Sequence, residues 1–107
     1  MSDKEADNRF DSDILEETKK EVDEPDMYKV VLHNDHYTTK DFVVEVIQKI
    51  FHKPVIEATK IMLHVHKSGK GVAGVYTFDI AHTKAAQVHQ LAREREYPLK
   101  CSVEQAP

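Results

Sequence analysis

Two polar residues in succession, Asn34 and Asp35, follow an apolar run, and His66 stands near the end of a later segment with helical periodicity. An amide, a carboxylate and an imidazole offer hydrogen-bond acceptors, and the carboxylate adds a negative charge. They border a predicted groove between two helices, lined by the apolar side chains of Val43, Met62 and Val65. Such an arrangement would bind an ammonium group attached to an apolar side chain. A lone histidine on an apolar stripe is usually a core residue, so only the neighbouring turn favours binding by His66.

The seven histidines also raise the hypothesis of a zinc site. His33 and His36 in the turn and His66 in the second helix would be its ligands, because neutral imidazole binds zinc well. His64 cannot join His66 on one metal, since the two residues lie about 200° apart around a helix. We consider this the weaker hypothesis and predict no metal ion and no other cofactor.

Two enzymatic hypotheses are weaker still. The stretch GKGVAG, residues 69–74, has the glycine spacing of a dinucleotide site, but that site needs a strand before the loop and a helix after it, and here the order is reversed. A cysteine hydrolase would need Cys101 beside a histidine and Asn34. Cys101 falls on the apolar face of its predicted strand, where a buried, inert thiol is expected.

The elements that must position the candidate residues can be read from hydrophobic periodicity. MYKVVLH, residues 27–33, alternates as a strand with one buried face, formed by Tyr28, Val30 and Leu32. A polar turn follows, in which Thr38 or Thr39 can cap the next helix. That helix buries a face that recurs at helical spacing: Phe42, Val43, Val46, Ile47, Ile50 and Phe51.

A second helix is predicted after Pro54, since proline suits a first helical turn. Its stripe would consist of Val55, Thr59, Met62 and His66, and Gly69 would end it. A second strand is predicted for GVAGVYTFDI, residues 71–80. A third helix is predicted for AHTKAAQVHQLARERE, residues 81–96. A short or edge strand is predicted for LKCSV, residues 99–103. The fold class is therefore α+β, with helices packed on one face of a three-stranded sheet.

Composition limits the chain to one small domain with an acidic extension. It has 107 residues, of which 40% are hydrophobic and 32% charged, and a single cysteine. Residues 1–26 hold 11 acidic and 4 basic residues, a net charge of −7, whereas residues 27–107 hold 8 and 11, a net of +3. We expect residues 1–26 to form a flexible extension and residues 27–107 the core domain. The absence of a long apolar run and of a signal-peptide pattern predicts a cytoplasmic protein that binds neither membrane nor nucleic acid.

The core resembles the ClpS adaptors, which recognise N-terminal destabilising residues and deliver substrates to the ClpA unfoldase of the ClpAP protease. The matching stretches include MYKVVLHND, DFVVEVIQKIF, KIML, GKGV, GVYT and YPL. The resemblance implies a three-stranded antiparallel sheet packed against three helices in the order β-α-α-β-α-β. It also implies a monomer that is not an enzyme.

The resemblance further implies roles for individual residues. The α-amino group of the substrate's first residue would be held by Asn34, Asp35, His36 and His66. Its side chain, usually Leu, Phe, Tyr or Trp, would enter a pocket formed by Leu32, Thr38, Lys40, Val43, Met62, Val65 and Leu99. Asp79, His82 and Lys84, on the start of the third helix, match the face that docks on the N-terminal domain of the unfoldase. The acidic extension matches the segment needed for delivery.

The chain differs from the usual family pattern at five positions, one of which is Thr39 in place of proline. Two of them border the expected pocket: His36 stands where relatives carry a second carboxylate, and Lys40 where they carry methionine. The others are His33, in place of an apolar residue, and His82, in place of an acid. We expect His36 to make binding weaker as the pH falls, and Lys40 to leave room for branched side chains. The alternative hypothesis is a small regulatory domain that modulates a AAA+ protease without reading free N-termini.

Overall fold

A computed structural model of the protein describes residues 25–107. The predicted acidic extension, residues 1–26, lies outside the described residues except for its last two. Six elements follow in the predicted order, which confirms the fold class: β1 Met27–His33, α1 Lys40–Phe51, α2 Val55–Ser68, β2 Lys70–Thr77, α3 Phe78–Glu94 and β3 Lys100–Gln105. None of the helices in residues 25–107 is both long and apolar enough to cross a membrane.

The sheet has the strand order β2-β1-β3, and β1 pairs with both neighbours in antiparallel register. The predicted position of the last strand at an edge is confirmed. The register shifts in the β1–β2 ladder, where Val30 pairs with Gly74 and Val31 with Val72, so that Ala73 is the extra residue of a bulge. Ala73 thereby points into the core, where it is almost completely buried.

The helices cover one face of the sheet. Val30 and Leu32 of β1 are fully buried against them. The prediction that only this face of β1 is buried was wrong, because Val31 on the opposite face is also buried. As the middle strand, β1 places Val31 between its cross-strand partners Val72 and Ser102, which shield it from water.

Helix α1 forms as its sequence predicts. The Thr39 hydroxyl accepts a hydrogen bond from the amide of Phe42 at 3.1 Å and so caps the first turn. Asp41 in that turn complements the positive end of the helix dipole. All six residues predicted for the apolar face are buried: Phe42, Val43, Val46, Ile47, Ile50 and Phe51.

Helix α2 is rotated relative to the prediction. Its buried residues are Ala58, Met62 and Val65, whereas Val55 and His66 are exposed. Because apolar residues lie on several sides of this helix, periodicity alone could not choose between two overlapping stripes. The packing of α2 on both α1 and β2 selects the stripe that contains Ala58. Pro54 also lies before the first turn, as the N-cap, with extended backbone. The rotation leaves His66 facing solvent.

The predicted boundary between the second strand and the third helix was also wrong. Strand β2 ends at Thr77, and Phe78, Asp79 and Ile80 form the first turn of α3. The composition of these three residues is typical of a strand, but contacts that only a helix allows stabilise the helical turn. Asp79 lies at the positive end of the helix dipole, and the ring of Phe78 packs on that of His82 one turn later, with centroids 4.3 Å apart.

Gly69 ends α2 with φ of 89°, a left-handed conformation, and its amide donates to the carbonyl of Val65. We expect Gly69→Ala to lower the free energy of unfolding by about 1–2 kcal/mol, because a Cβ is disfavoured in this conformation. Apart from its chain neighbours, nothing lies within 4 Å of the position that this Cβ would take, so the loss would reflect backbone strain alone. Urea unfolding measures it.

Gly69→Asn is the matched control, since asparagine tolerates the left-handed region better than alanine and should lose less stability. Equal stability of wild type and Gly69→Ala would contradict this account of the helix end.

Candidate functional site

The candidate site lies where the end of β1 meets the end of α2. The amide of Asn34 donates to the carbonyl of Gly69 at 2.8 Å, and His33 pairs with Lys70 in the sheet. The chain leaving β1 is thus held against the last turn of α2, which carries His66. Residues distant in sequence are brought together at this junction.

The Asp35 carboxylate holds the next turn of chain together. One oxygen accepts from the amides of Tyr37 and Thr38, at 2.8 and 2.7 Å, and the other accepts from the Thr38 hydroxyl at 2.7 Å. Partial burial raises the pKa of Asp35, but the hydrogen bonds from Thr38 and Tyr37, with a smaller contribution from His36, outweigh it and leave the pKa below its ordinary value. Asp35 is therefore charged at neutral pH.

A carboxylate can accept roughly four hydrogen bonds, and three at Asp35 come from its own loop. The oxygen that accepts from the Thr38 hydroxyl keeps room for one more donor. Asp35 is thus able both to fix the loop and to bind a cationic group beside it.

A cavity of about 540 Å³ opens between this loop and the helices. This size lies within the usual range for small-ligand sites. Its lining combines a polar rim with an apolar floor: Asn34, Asp35, His36, Tyr37, Thr38, Thr39, Lys40, Val43, Met62, Val65 and His66. The floor residues Val43, Met62 and Val65 are 7%, 8% and 2% exposed.

The structure brings together nine of the eleven residues predicted to bind the amino group or the side chain. Leu32 and Leu99 do not line the cavity, because both are buried in the hydrophobic core. Two lining residues were missed, Tyr37 and Thr39. Tyr37 is 80% exposed, and a large aromatic residue in a polar turn was the signal that could have identified it.

A family model, "ATP-dependent Clp protease adaptor protein ClpS", matches residues 23–102. The chain belongs to the ClpS family. An adapter of this name from Syntrophus aciditrophicus is 59% identical over 96 residues, which span 90% of each protein. Another, from Desulfatibacillum aliphaticivorans, is 54% identical over 92 residues, 86% of this chain and 88% of that protein.

Among solved structures, Agrobacterium tumefaciens ClpS2 bound to L-phenylalaninamide superposes with a TM-score of 0.75 at 35% identity. The match covers 78% of this chain and all of that one. The resemblance noted in the sequence is thus confirmed, and so is the prediction of a Clp protease adaptor rather than an enzyme.

The geometry does not support the zinc hypothesis in this ClpS-family chain. Within residues 25–107, no three side chains of His, Cys, Asp or Glu are grouped as metal ligands. Nε2 of His33 lies 2.7 Å from the hydroxyl of Ser102, in a hydrogen bond on the sheet. The glycine stretch at 69–74 forms a helix end and an edge strand, as its order in the sequence indicated.

Cys101 does lie near a histidine, with 3.7 Å between its sulfur and Nε2 of His89. That nitrogen already accepts the amide proton of Cys101, at 3.1 Å. Burial raises the pKa of the thiol to about 11, so the sulfur stays protonated. This pair is therefore unsuited to nucleophilic catalysis.

The residues predicted to dock on the unfoldase lie on the first turns of α3 but differ in their surroundings. Asp79 and His82 are exposed. Lys84 is half-buried, and its ammonium donates to the carbonyl of Ile50 at the end of α1, at 2.7 Å. Lys84 thus has a structural role in addition to any role on the surface. Two apolar residues of this region, Phe78 and Ile80, are also exposed.

The raised thiol pKa leads to a direct prediction. At pH 8, iodoacetamide should alkylate Cys101 in the folded protein about tenfold or more slowly than in the urea-unfolded chain, because only the thiolate reacts. Cys101 is the only cysteine, so mass spectrometry reports on it alone. Equal rates in the two states would mean that the thiol is neither buried nor shifted.

Proposed function

We propose that this ClpS-family chain captures proteins whose first residue is large and apolar or aromatic and delivers them to a ClpA-type unfoldase for degradation. The observation that carries the proposal is the cavity at the β1–α2 junction, which joins an apolar floor to a rim of hydrogen-bond acceptors. An N-terminal amino acid has this same combination, an ammonium group one atom away from an apolar side chain.

The rim stabilises the ammonium group in three ways. The side chains of Asn34 and His66 accept hydrogen bonds, and Asp35 adds a charged acceptor. The site also adjoins the C-terminal end of α2, where the helix dipole favours a cation. Since an α-amino group has a pKa near 8, it is mostly charged at neutral pH, and each charged hydrogen bond contributes about 1.5–3 kcal/mol.

The apolar floor of the cavity binds the side chain of the substrate's first residue. Transfer of a leucine or phenylalanine side chain from water onto Val43, Met62 and Val65 contributes about 1.5–3 kcal/mol. An internal peptide nitrogen lacks the charge, and the chain preceding it would collide with the rim. The site therefore selects true N-termini.

The solved relative supports this assignment. L-phenylalaninamide, bound by the Agrobacterium tumefaciens protein, carries a free α-amino group next to a benzyl side chain. At 35% identity and a TM-score of 0.75, the two chains share their fold closely enough for an equivalent ligand to fit here.

Delivery requires two further surfaces. The start of α3, with Asp79, His82 and Lys84, docks on the N-terminal domain of the unfoldase. The acidic extension, residues 1–26, serves delivery and not peptide binding. The protein acts as a monomer in the cytoplasm and binds no nucleic acid.

Fluorescence anisotropy with a labelled peptide that begins with Phe tests the pocket. Asn34→Ala and His66→Ala should each weaken binding about tenfold or more, because each removes a hydrogen-bonding partner of the ammonium. His64→Ala is the matched control, since His64 lies on the same helix but outside the cavity.

Acetylation of the peptide's N-terminus should abolish binding. If acetylated and free peptides bound equally, the chain would be a regulatory domain that does not read free N-termini. If His66→Ala and His64→Ala behaved alike, the amino-group site would be misplaced.

Position 36, where relatives carry a carboxylate, leads to a prediction about pH. Histidine side chains in general gain a proton between about pH 8 and 5, and a cation at position 36 would repel the ammonium. From pH 7.5 to 6, peptide affinity should therefore fall more steeply in wild type than in His36→Gln or His36→Asp. Asp35, Lys40 and His66 also line the cavity but are common to all three proteins, so the comparison isolates position 36. Three parallel profiles would contradict the prediction.

A further inference from the structure

A second groove, of about 320 Å³, adjoins the pocket. We call it the side groove; its lining residues are His33, Asn34, Asp35, Tyr37, Pro98 and Lys100. Three of these, Asn34, Asp35 and Tyr37, also line the pocket, so both depressions border the loop that follows β1. Three further cavities in the described residues share no lining residue with the pocket.

The shared rim is where the amino group of a bound substrate would lie. A peptide's second residue follows its first by one Cα–Cα step of about 3.8 Å. The first residues after the N-terminal one are therefore within reach of the side groove, provided that the first side chain occupies the pocket.

The side groove contains one lysine, Lys100. Lys100 pairs directly with His33 across the β1–β3 ladder, so their side chains leave the sheet side by side. Among residues 25–107, Lys100 forms no ion pair. Pro98 and Tyr37 add apolar surface next to this unpaired charge.

One acidic residue, Asp35, lines the side groove together with Lys100, and the two form no ion pair. Asp35 lines the groove but directs its oxygens to the amides and hydroxyl of its own loop. Glu104 is on the same strand, and its carboxylate lies 3.5 Å from the hydroxyl of Ser102. Glu104 does not line the groove.

We propose that the side groove binds an acidic side chain at the second or third position of the substrate, with Lys100 as its partner. This inference rests on the proposed function, because the first residue must occupy the pocket. The chain would then read two features of an N-terminus, a large apolar first residue and a carboxylate close behind it.

Peptides that begin with Phe and carry Asp, Gln or Lys at the second or at the third position test the inference. At low salt, and at one of these two positions, the peptide with Asp should bind about two- to fivefold more tightly than the peptide with Gln, as expected for an exposed ion pair. The peptide with Lys should bind more weakly than the peptide with Gln. The preference should shrink at high salt.

Variants of Lys100 test the partner. Lys100→Gln should abolish the preference for Asp, and Lys100→Glu should reverse it in favour of Lys. Lys60→Gln removes an equal charge outside both depressions and should keep the preference. A peptide with Asp only at its eighth position controls for the overall charge of the peptide.

Failure of this inference can be told apart from failure of the proposed function. If all the Phe peptides bind, require a free amino group, and show the same affinity with Asp, Gln or Lys at both positions, the side groove is not a subsite. An unchanged preference in Lys100→Glu would overturn the role of Lys100. If none of the Phe peptides binds, the proposed function itself is wrong.

Discussion

The end of α2 is the constraint on which the site depends. A left-handed residue at Gly69 stops the helix and turns its carbonyl towards the amide of Asn34. This one hydrogen bond, continued by the pairing of His33 with Lys70, fixes the loop after β1 next to the last turn of α2. Without it, Asn34 and His66 would belong to unrelated surfaces.

Preorganisation explains how a small chain can bind a small ligand selectively. Asp35 uses most of its acceptor capacity to fix the loop, so ordering of the loop takes place during folding and not during binding. In the proposed site, the acceptors left for an ammonium are one position on Asp35 and the side chains of Asn34 and His66. Affinity then depends on a few charged hydrogen bonds and on one buried side chain, which suits an adaptor that must also release its substrate.

The fold separates the two surfaces that an adaptor needs. The pocket lies at the His33 end of β1, whereas Met27, at the other end, pairs with Thr77, directly before α3. Seven strand residues place these ends about 20 Å apart. In the proposed function, a substrate in the pocket and an unfoldase docked on the first turns of α3 would therefore not compete for space.

The sequence by itself determined the order of the elements and the buried face of α1, since both follow from local periodicity. It limited the cap of α1 to Thr38 or Thr39, because either side chain could accept a hydrogen bond from the first turn. Residue types and spacing named six of the residues that line the cavity, and the family resemblance added three more, His36, Thr38 and Lys40. Tertiary structure decided the rest. The packing of α2 on α1 and β2 buries the stripe that contains Ala58. Contacts within α3 place Phe78 in a helix and not in a strand. Leu32 and Leu99 pack in the hydrophobic core and so do not line the cavity. The pairing of Lys100 with His33 depends on the register of strands that are far apart in the chain, which no local pattern encodes.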